Sequence, residues 1–305
     1  MYYFIINPGS RSGKGVKIWN ELEYILQKSH TDYRAYFTEY PGHASLLAGQ
    51  ISKECSPCTI VAVGGDGTAN EVINGLCMNS QIRFGYIPTG SGNDLARGLA
   101  LSTTPETALK AILDPKEIRL VNIGQNQLEN HSYRFVISTG IGYDAAVCHE
   151  AEHSKIKRML NHLKLGKLTY LGIALKQLIL LRPGAVTITL DEHSPITFDR
   201  IFFVAVMNLQ YEGGGFMFCP KADVSDDYLD VCLVEKISKL KILCLLPTAF
   251  WGRHIKYKGI HILRCKKLSI CSDYALPVHT DGEPRNLHTS MNISLLENKL
   301  PFIIQ

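Results

Sequence analysis

Two short apolar runs constrain this chain more than anything else in it, because each ends in a cluster of glycines and passes at once into a helical pattern. The first is VAVGGDGTANEVINGL and the second, one strand-and-helix repeat later, is IPTGSGNDLARGL. Gly64, Gly65 and Gly67 let the backbone pass close to a ligand, and the helix that follows offers unpaired N–H groups to phosphate oxygens. A plain strand-to-helix turn does not need so many glycines. Asp66 is the unusual residue: it repels phosphate unless a cation or a proton lies between, so it implies magnesium or a hydroxyl to be activated. In the second turn Ser91 carries a hydroxyl for a phosphate. Asn93 and Asp94 either cap the next helix or join a carboxylate–water–metal network, and for Asp94 both readings stand. Two such turns at the carboxyl ends of parallel strands converge on one crevice.

The surroundings support a sheet of this kind. From Met1 to about Asn122, apolar runs such as YYFII, TIVAVGG and FGYIP alternate with helical patterns, which predicts an α/β domain with a parallel sheet. The helices after the two glycine clusters are expected to open near Thr68 and near Asn93 or Asp94. Beyond Asn122 the segments YRFVISTGIG, AVTITL, ITFDRIFFVAVMN, YLDVCLVE and MNISLL are β-rich and mostly joined by turns, the texture of an antiparallel sandwich. The opening NPGSRSGKG is not a Walker loop. Only three residues separate Gly9 from Gly13, and Gly15, not Ser or Thr, follows Lys14. It remains a loop of small residues able to bring backbone N–H groups near an anion.

Composition narrows the function classes. A net charge of +4 over 305 residues is mild, and no aromatic-basic interleaving points to nucleic acid. Nine cysteines without paired spacing fit a reducing cytoplasm, and the lone CSPC of Cys55 and Cys58 reads as structural. No stretch has the length or apolarity of a spanning helix, so the chain is expected to be soluble or peripheral. His149, Glu150 and His153 satisfy the zinc-protease spacing, but no Asp or Glu follows from Ser154 to Leu190 to complete a ligand set. The basic, leucine-interleaved stretch with Lys155, Lys157, Arg158, Lys164 and Lys167 suits an anionic bilayer or a solvated helix.

GGDGTANEVINGL followed by IPTGSGNDLARGL resembles the lipid kinase family of bacterial diacylglycerol kinases, YegS-like kinases and the sphingosine and ceramide kinases. NPGSRSGKG, FTEYPGHA with Thr38 and His43, STGIGYDAAV with Gly140, Gly142 and Asp144, PKADVSDDYLDVCLV and HTDGEP resemble further family motifs in the same order. The resemblance implies an NAD-kinase/phosphofructokinase-like, Rossmann-type α/β domain over 1–125, to which about 295–305 returns, and a mainly antiparallel β-sandwich over 126–294. It implies transfer of the ATP γ-phosphate to a membrane lipid hydroxyl, most of all diacylglycerol giving phosphatidic acid, at the inner face of the membrane. A homodimer is compatible with it.

By the same resemblance Gly64, Gly65, Asp66, Gly67, Thr68 and Asn70 cradle ATP, with Asn7, Ser10, Thr38 and Ser91. Asp66, Asp94 and Asp226 form the magnesium network, and Asp281 and Glu283 stand beside the acceptor hydroxyl, one of them as base. Read without the family, the Asp281-Gly282-Glu283 turn exposes two carboxylates on one side if extended, or is simply a solvated acidic turn. Where the family has Gly after the acid aligned with Asp226, this chain has Asp227, which requires a permissive φ. An NAD kinase, which also carries Gly-Gly-Asp-Gly-Thr, and a catalytically silent lipid- or nucleotide-binding regulator are the competing readings.

Overall fold

Burial on both faces makes the first apolar runs strands of a covered parallel sheet: every residue of Cys58–Gly64 is buried. The computed structural model describes residues 1–78, 81–153 and 166–304. The chain divides into two units, Met1–Ile123 with Leu296–Gln305, and Gly124–Leu295.

In the first unit β1 (Tyr2–Ile6), β2 (Tyr33–Phe37), β3 (Cys58–Gly64) and β4 (Ile82–Pro88) lie parallel in the order β2-β1-β3-β4. The sheet continues through β15 (Leu300–Ile304), parallel to β4, and ends with β5 (Glu117–Val121), antiparallel to β15. Right after β1 comes the single turn α1 (Ser10–Gly13), and then α2 (Gly15–Lys28) crosses over. The other helices are α3 (His43–Glu54), α4 (Asp66–Gly75), α5 (Asp94–Gly98) and α6 (Pro105–Leu113). Ile18, Trp19, Leu22 and Leu26 recur on one face of α2 and pack with Leu109 and Ile112 of α6 against Phe4, Val61, Val63 and Ile87.

The helix after the first glycine cluster starts at Asp66, two residues ahead of the expected Thr68. At its far end Gly75 touches α3 so closely that an added Cβ would lie 2.0 Å from the Ser45 carbonyl oxygen. Backbone, not a yielding side chain, is the obstacle there.

The second unit contains β6 (Gly124–Leu128), β7 (His131–Phe135), β8 (Ser138–Gly142), β9 (Gly184–Leu190), β10 (Ile196–Met207), β11 (Leu229–Glu235), β12 (Ile260–Cys265), β13 (Lys267–Thr280) and β14 (Glu283–Leu295). Their order is β12-β11-β10-β8-β13-β14-β6-β7, with every pair antiparallel, and β9 bonds to both β10 and β13. The layers thus close on one core that holds Phe135, Ile141, Val204, Val231, Ile270 and Met291. Helix α7 (Tyr143–His153) follows β8 directly. Gly75→Ala must push α4 and α3 apart; chemical denaturation is expected to show a loss of about 1–3 kcal/mol, the usual cost of overpacking.

Candidate active site

Three loops of the first unit meet at the carboxyl ends of β1, β3 and β4, and side chains stitch them together. The Asn7 amide donates to the Thr68 hydroxyl over 3.1 Å, and the Thr89 hydroxyl donates to that of Ser10 over 2.9 Å. Asn7 also turns its own loop, because its amide oxygen accepts the Gly9 N–H at 2.9 Å. Thr38 follows β2, and its N–H donates to the Ile6 carbonyl, which places it beside that loop. Glycine is required where the loops touch: a Cβ on Gly90 would stand 2.8 Å from the Gly65 Cα, and one on Gly64 only 2.4 Å from the Thr68 hydroxyl oxygen.

Asp66 is the tie between the two glycine turns. Its carboxylate accepts the Asp94 N–H at 3.0 Å, the Leu95 N–H at 3.3 Å and the Tyr86 hydroxyl at 3.3 Å. It therefore caps α5 from outside that helix, while Asn93, at the cap position with φ +52°, makes no side-chain cap bond. The acid's charge is thus met by the protein's own donors. Burial pushes the Tyr86 phenol well above its usual pKa, and the Asp66 charge adds to this, so the phenol stays a donor. Asp94 pairs with Arg97, which also reaches the Gly92 carbonyl at 3.4 Å.

The residues fit a hard divalent cation. The position a Cβ would take on Gly92 lies 3.4 Å from Asp66 Oδ2 and 3.8 Å from Asp94 Oδ2, so two carboxylate oxygens border the space beside Gly92. Beside it lies a cavity of about 430 Å3 lined by Thr89, Gly90, Ser91, Asn93, Arg11 and Arg97. The two arginines escaped the sequence reading, where their one signal was a cation next to a glycine turn. Asn70 is buried within α4, and its amide oxygen accepts from Asn74 at 3.2 Å.

In the second unit the acidic turn is neither extended nor solvated. Asp281 and Gly282, at φ +50° and +80°, are the two central residues of the hairpin joining β13 to β14, the Asp-Gly signature of a type I′ turn. Asp281 is buried, and its carboxylate accepts three backbone N–H groups: Ile137 and Ser138 on one oxygen at 2.8 and 2.9 Å, Val136 on the other at 3.0 Å. Glu283 is half-buried at the start of β14. Asp226 accepts the Tyr228 N–H at 3.0 Å on one oxygen and pairs with Arg264 through the other, partners of the same kind as those of Asp66 and Asp94. Asp227 does adopt the glycine-like φ, at +66°.

Beside the turn lies a buried group the sequence reading missed. His279 Nε2 is 3.2 Å from Asp144 Oδ2 and 3.1 Å from Glu212 Oε1, with the ring wholly inaccessible. Glu212 precedes three glycines and His279 stands two residues before Asp281, which are the only sequence signals for them. Burial works against charge on the ring, but Glu212 and the hydrogen bond to Asp144 outweigh it and raise the pKa to about 9. The Gly282 N–H, 3.2 Å from Nδ1, pulls the other way, because it needs a free lone pair there. That bond is long and uncharged, so the carboxylates prevail.

The three ligand atoms lie within 4.8 Å of one another, close enough for an ion. A metal-bound imidazole and an imidazolium both carry a proton on Nδ1, so the Gly282 N–H opposes the two states alike. Without an ion the triad is a buried ion-pair group. The residues of the zinc-protease spacing have other partners: His149 Nε2 lies 2.9 Å from the Val278 carbonyl, and Glu150 accepts from Lys176 and Gln177.

A raised pKa on His279 contributes stability that is complete below the unfolded value of about 6.5 and is lost as pH rises through about 9. Thermal melts are expected to fall across that window, and Glu212→Gln is expected to flatten the fall. Asp281→Asn leaves backbone N–H groups facing an amide donor and is expected to cost about 1–3 kcal/mol in denaturant titration.

Comparison with known proteins bears on the family and the fold. Residues 1–125 match the diacylglycerol kinase catalytic domain, and 136–295 match the YegS C-terminal NAD kinase beta sandwich-like domain. The chain is 30% identical over 287 residues to "Putative lipid kinase YtlR" of Bacillus subtilis (strain 168), covering 92% of this chain and 93% of that one. It is 29% identical over 281 residues to a diacylglycerol kinase of Staphylococcus saprophyticus, covering 92% and 87%. A solved structure described as a putative diacylglycerol kinase from Bacillus anthracis str. Sterne shares the fold at a TM-score of 0.78 and 22% identity, covering 100% of this chain and 97% of that one. The N-terminal parallel sheet with its stitched glycine turns, the antiparallel sandwich and these matches together place the chain in the diacylglycerol kinase catalytic-domain family of lipid kinases.

Proposed function

We propose that this protein transfers the γ-phosphoryl group of ATP to a hydroxyl of a membrane lipid, with diacylglycerol as acceptor and phosphatidic acid as product. The observation that carries this reading is the set of three loops pinned through Asn7–Thr68, Ser10–Thr89 and Asp66–Asp94 around glycines that keep the backbone open, next to a cavity edged by Arg11 and Arg97. Phosphoryl transfer asks little covalent work of a protein: phosphates must be positioned, their charge met and a hydroxyl aimed. Backbone N–H groups at the start of α4 and the two arginines supply the first two. Asp66 and Asp94 would hold magnesium, which when bound neutralises charge on the phosphates.

For the base, the structure of the hairpin favours Glu283 over Asp281. A carboxylate that accepts three N–H bonds is stabilised in its charged form and takes up a proton poorly. Glu283 would accept the proton of the lipid hydroxyl as its oxygen attacks the γ-phosphorus and the bond to the ADP oxygen breaks. Asp281 then serves by holding the turn in place. No helix among the described residues is long and apolar enough to cross a membrane, so the lipid would be met at a surface, which we take to be the inner face of the cytoplasmic membrane.

Radiolabelled ATP with magnesium, offered to mixed micelles of diacylglycerol, ceramide or sphingosine and to NAD in a parallel tube, tests the proposal. Label in an organic-extractable product of diacylglycerol is expected. Label only in the NAD tube would make the protein an NAD kinase, and ATP binding without any turnover would make it a regulator. Glu283→Gln is expected to lower kcat by about a hundredfold or more, within the usual range for a general base, with an unchanged melting temperature.

A further inference from the structure

The second unit bears an exposed apolar face that its core does not explain. In the helix Lys239–Leu245, Ile242 and Leu245 are buried in a core that also takes Leu178, while Leu240 and Leu243, three residues apart, face outward. Leu240 is 73% exposed. Ile179, 72% exposed at the end of helix Gly166–Leu180, adjoins it, since the Lys239 ammonium donates to the Ile179 carbonyl. The six-residue 3-10 segment Leu246–Trp251 that follows helix Lys239–Leu245 ends in Trp251, which is 68% exposed.

Trp251 is not a loose tip. Its neighbour Phe250 stacks on Phe216 with ring centroids 4.1 Å apart, and Gly252, at φ +63°, lies so tightly against Pro220 that a Cβ would come within 2.4 Å. The protein thus spends rigid packing on holding an indole in water.

Charge says what covers this face. From Lys236 to Ser272 the chain contains no Asp or Glu. Lys241, Arg253, Lys256 and Lys258 are exposed around the apolar residues, and among the described residues no carboxylate pairs with them. A second copy of the same face would bring these cations against their like. An anionic lipid surface meets both halves of the pattern, because aliphatic and indole groups enter at headgroup depth while lysine and arginine stay with the phosphates.

We propose that Leu240, Leu243, Trp251 and Ile179, ringed by Lys241, Arg253, Lys256 and Lys258, form the surface by which this protein docks on an anionic phospholipid bilayer. The proposal rests on the lipid-kinase reading for its purpose but not for its test. The sequence reading offered Lys155–Lys167 as either a membrane contact or a solvated helix, and the side chains of that stretch lie outside the described residues.

The chain has two tryptophans, and Trp19 is wholly buried, so a change in indole emission on adding vesicles reports Trp251. Vesicles of phosphatidylcholine with phosphatidylglycerol are expected to shift the emission to the blue, and lipids brominated in the acyl chain to quench it. Phosphatidylcholine alone or high salt is expected to weaken both effects. Trp251→Ala with Leu240→Ser is expected to lower partitioning by about tenfold or more, and Lys256→Glu with Lys258→Glu to do the same while leaving the apolar residues in place.

Co-sedimentation with vesicles without any change in Trp251 emission would put the contact elsewhere and overturn the proposal, as would a failure to bind anionic vesicles at all. A concentration-dependent dimer that buries Trp251 would also overturn it, in favour of a second copy. A failed kinase reading looks different: neither wild type nor variant would phosphorylate a dispersed short-chain diacylglycerol, whatever the vesicles show.

Discussion

The first unit depends on one carboxylate that serves two loops. Asp66 begins α4 after the first glycine turn, and by accepting the N–H groups of Asp94 and Leu95 it also terminates the second turn and starts α5. Placed near a phosphate site an acid is a liability, since its field opposes the ligand. The fold offsets that with two amides and the protonated Tyr86 phenol, and gains a fixed distance between the two glycine turns. Everything the loops offer a ligand is referenced to this contact: the N-terminus of α4, the glycines that touch at Gly65 and Gly90, and the Arg97 that Asp94 orients.

Much of this was legible in the sequence because glycine and aspartate report backbone geometry directly. A run such as GGDGT after an apolar strand has few structural solutions, and the α/β class with its second, antiparallel sheet follows from strand and helix periodicity alone. What the sequence does not encode locally is the partner of a side chain. Asp66 as a cap for a helix nearly thirty residues on, and Asp281 as acceptor for Val136 to Ser138, are contacts across sequence separations of 28 and 143 to 145 residues. The Asp-Gly pair at 281–282 is itself a hairpin signal, and the strand pairing on either side follows from it.

The second unit shows how structure and chemistry share one element. The hairpin turn is held from one side by the Asp281 carboxylate on the start of β8 and approached from the other by His279, which the acids Asp144 and Glu212 charge. A buried cation between two anions is weak evidence for stability, because desolvation opposes the attraction. It is a strong means of fixing direction, and here it fixes the strand that leads into Glu283. Asp227 tells a smaller version of the story: a non-glycine residue at φ +66° is kept, while Asp226 turns to Arg264.

The order of the first sheet reaches beyond the folded state. β5 touches that sheet only through β15, whose residues 300–304 are made last among its strands. The residues of the sandwich, 124 to 295, lie in the chain between β5 and β15. The sheet of the first unit therefore cannot close between β4 and β5 until residues 300–304 have been made, so its last gap is filled by a segment synthesised after the whole of the inserted unit.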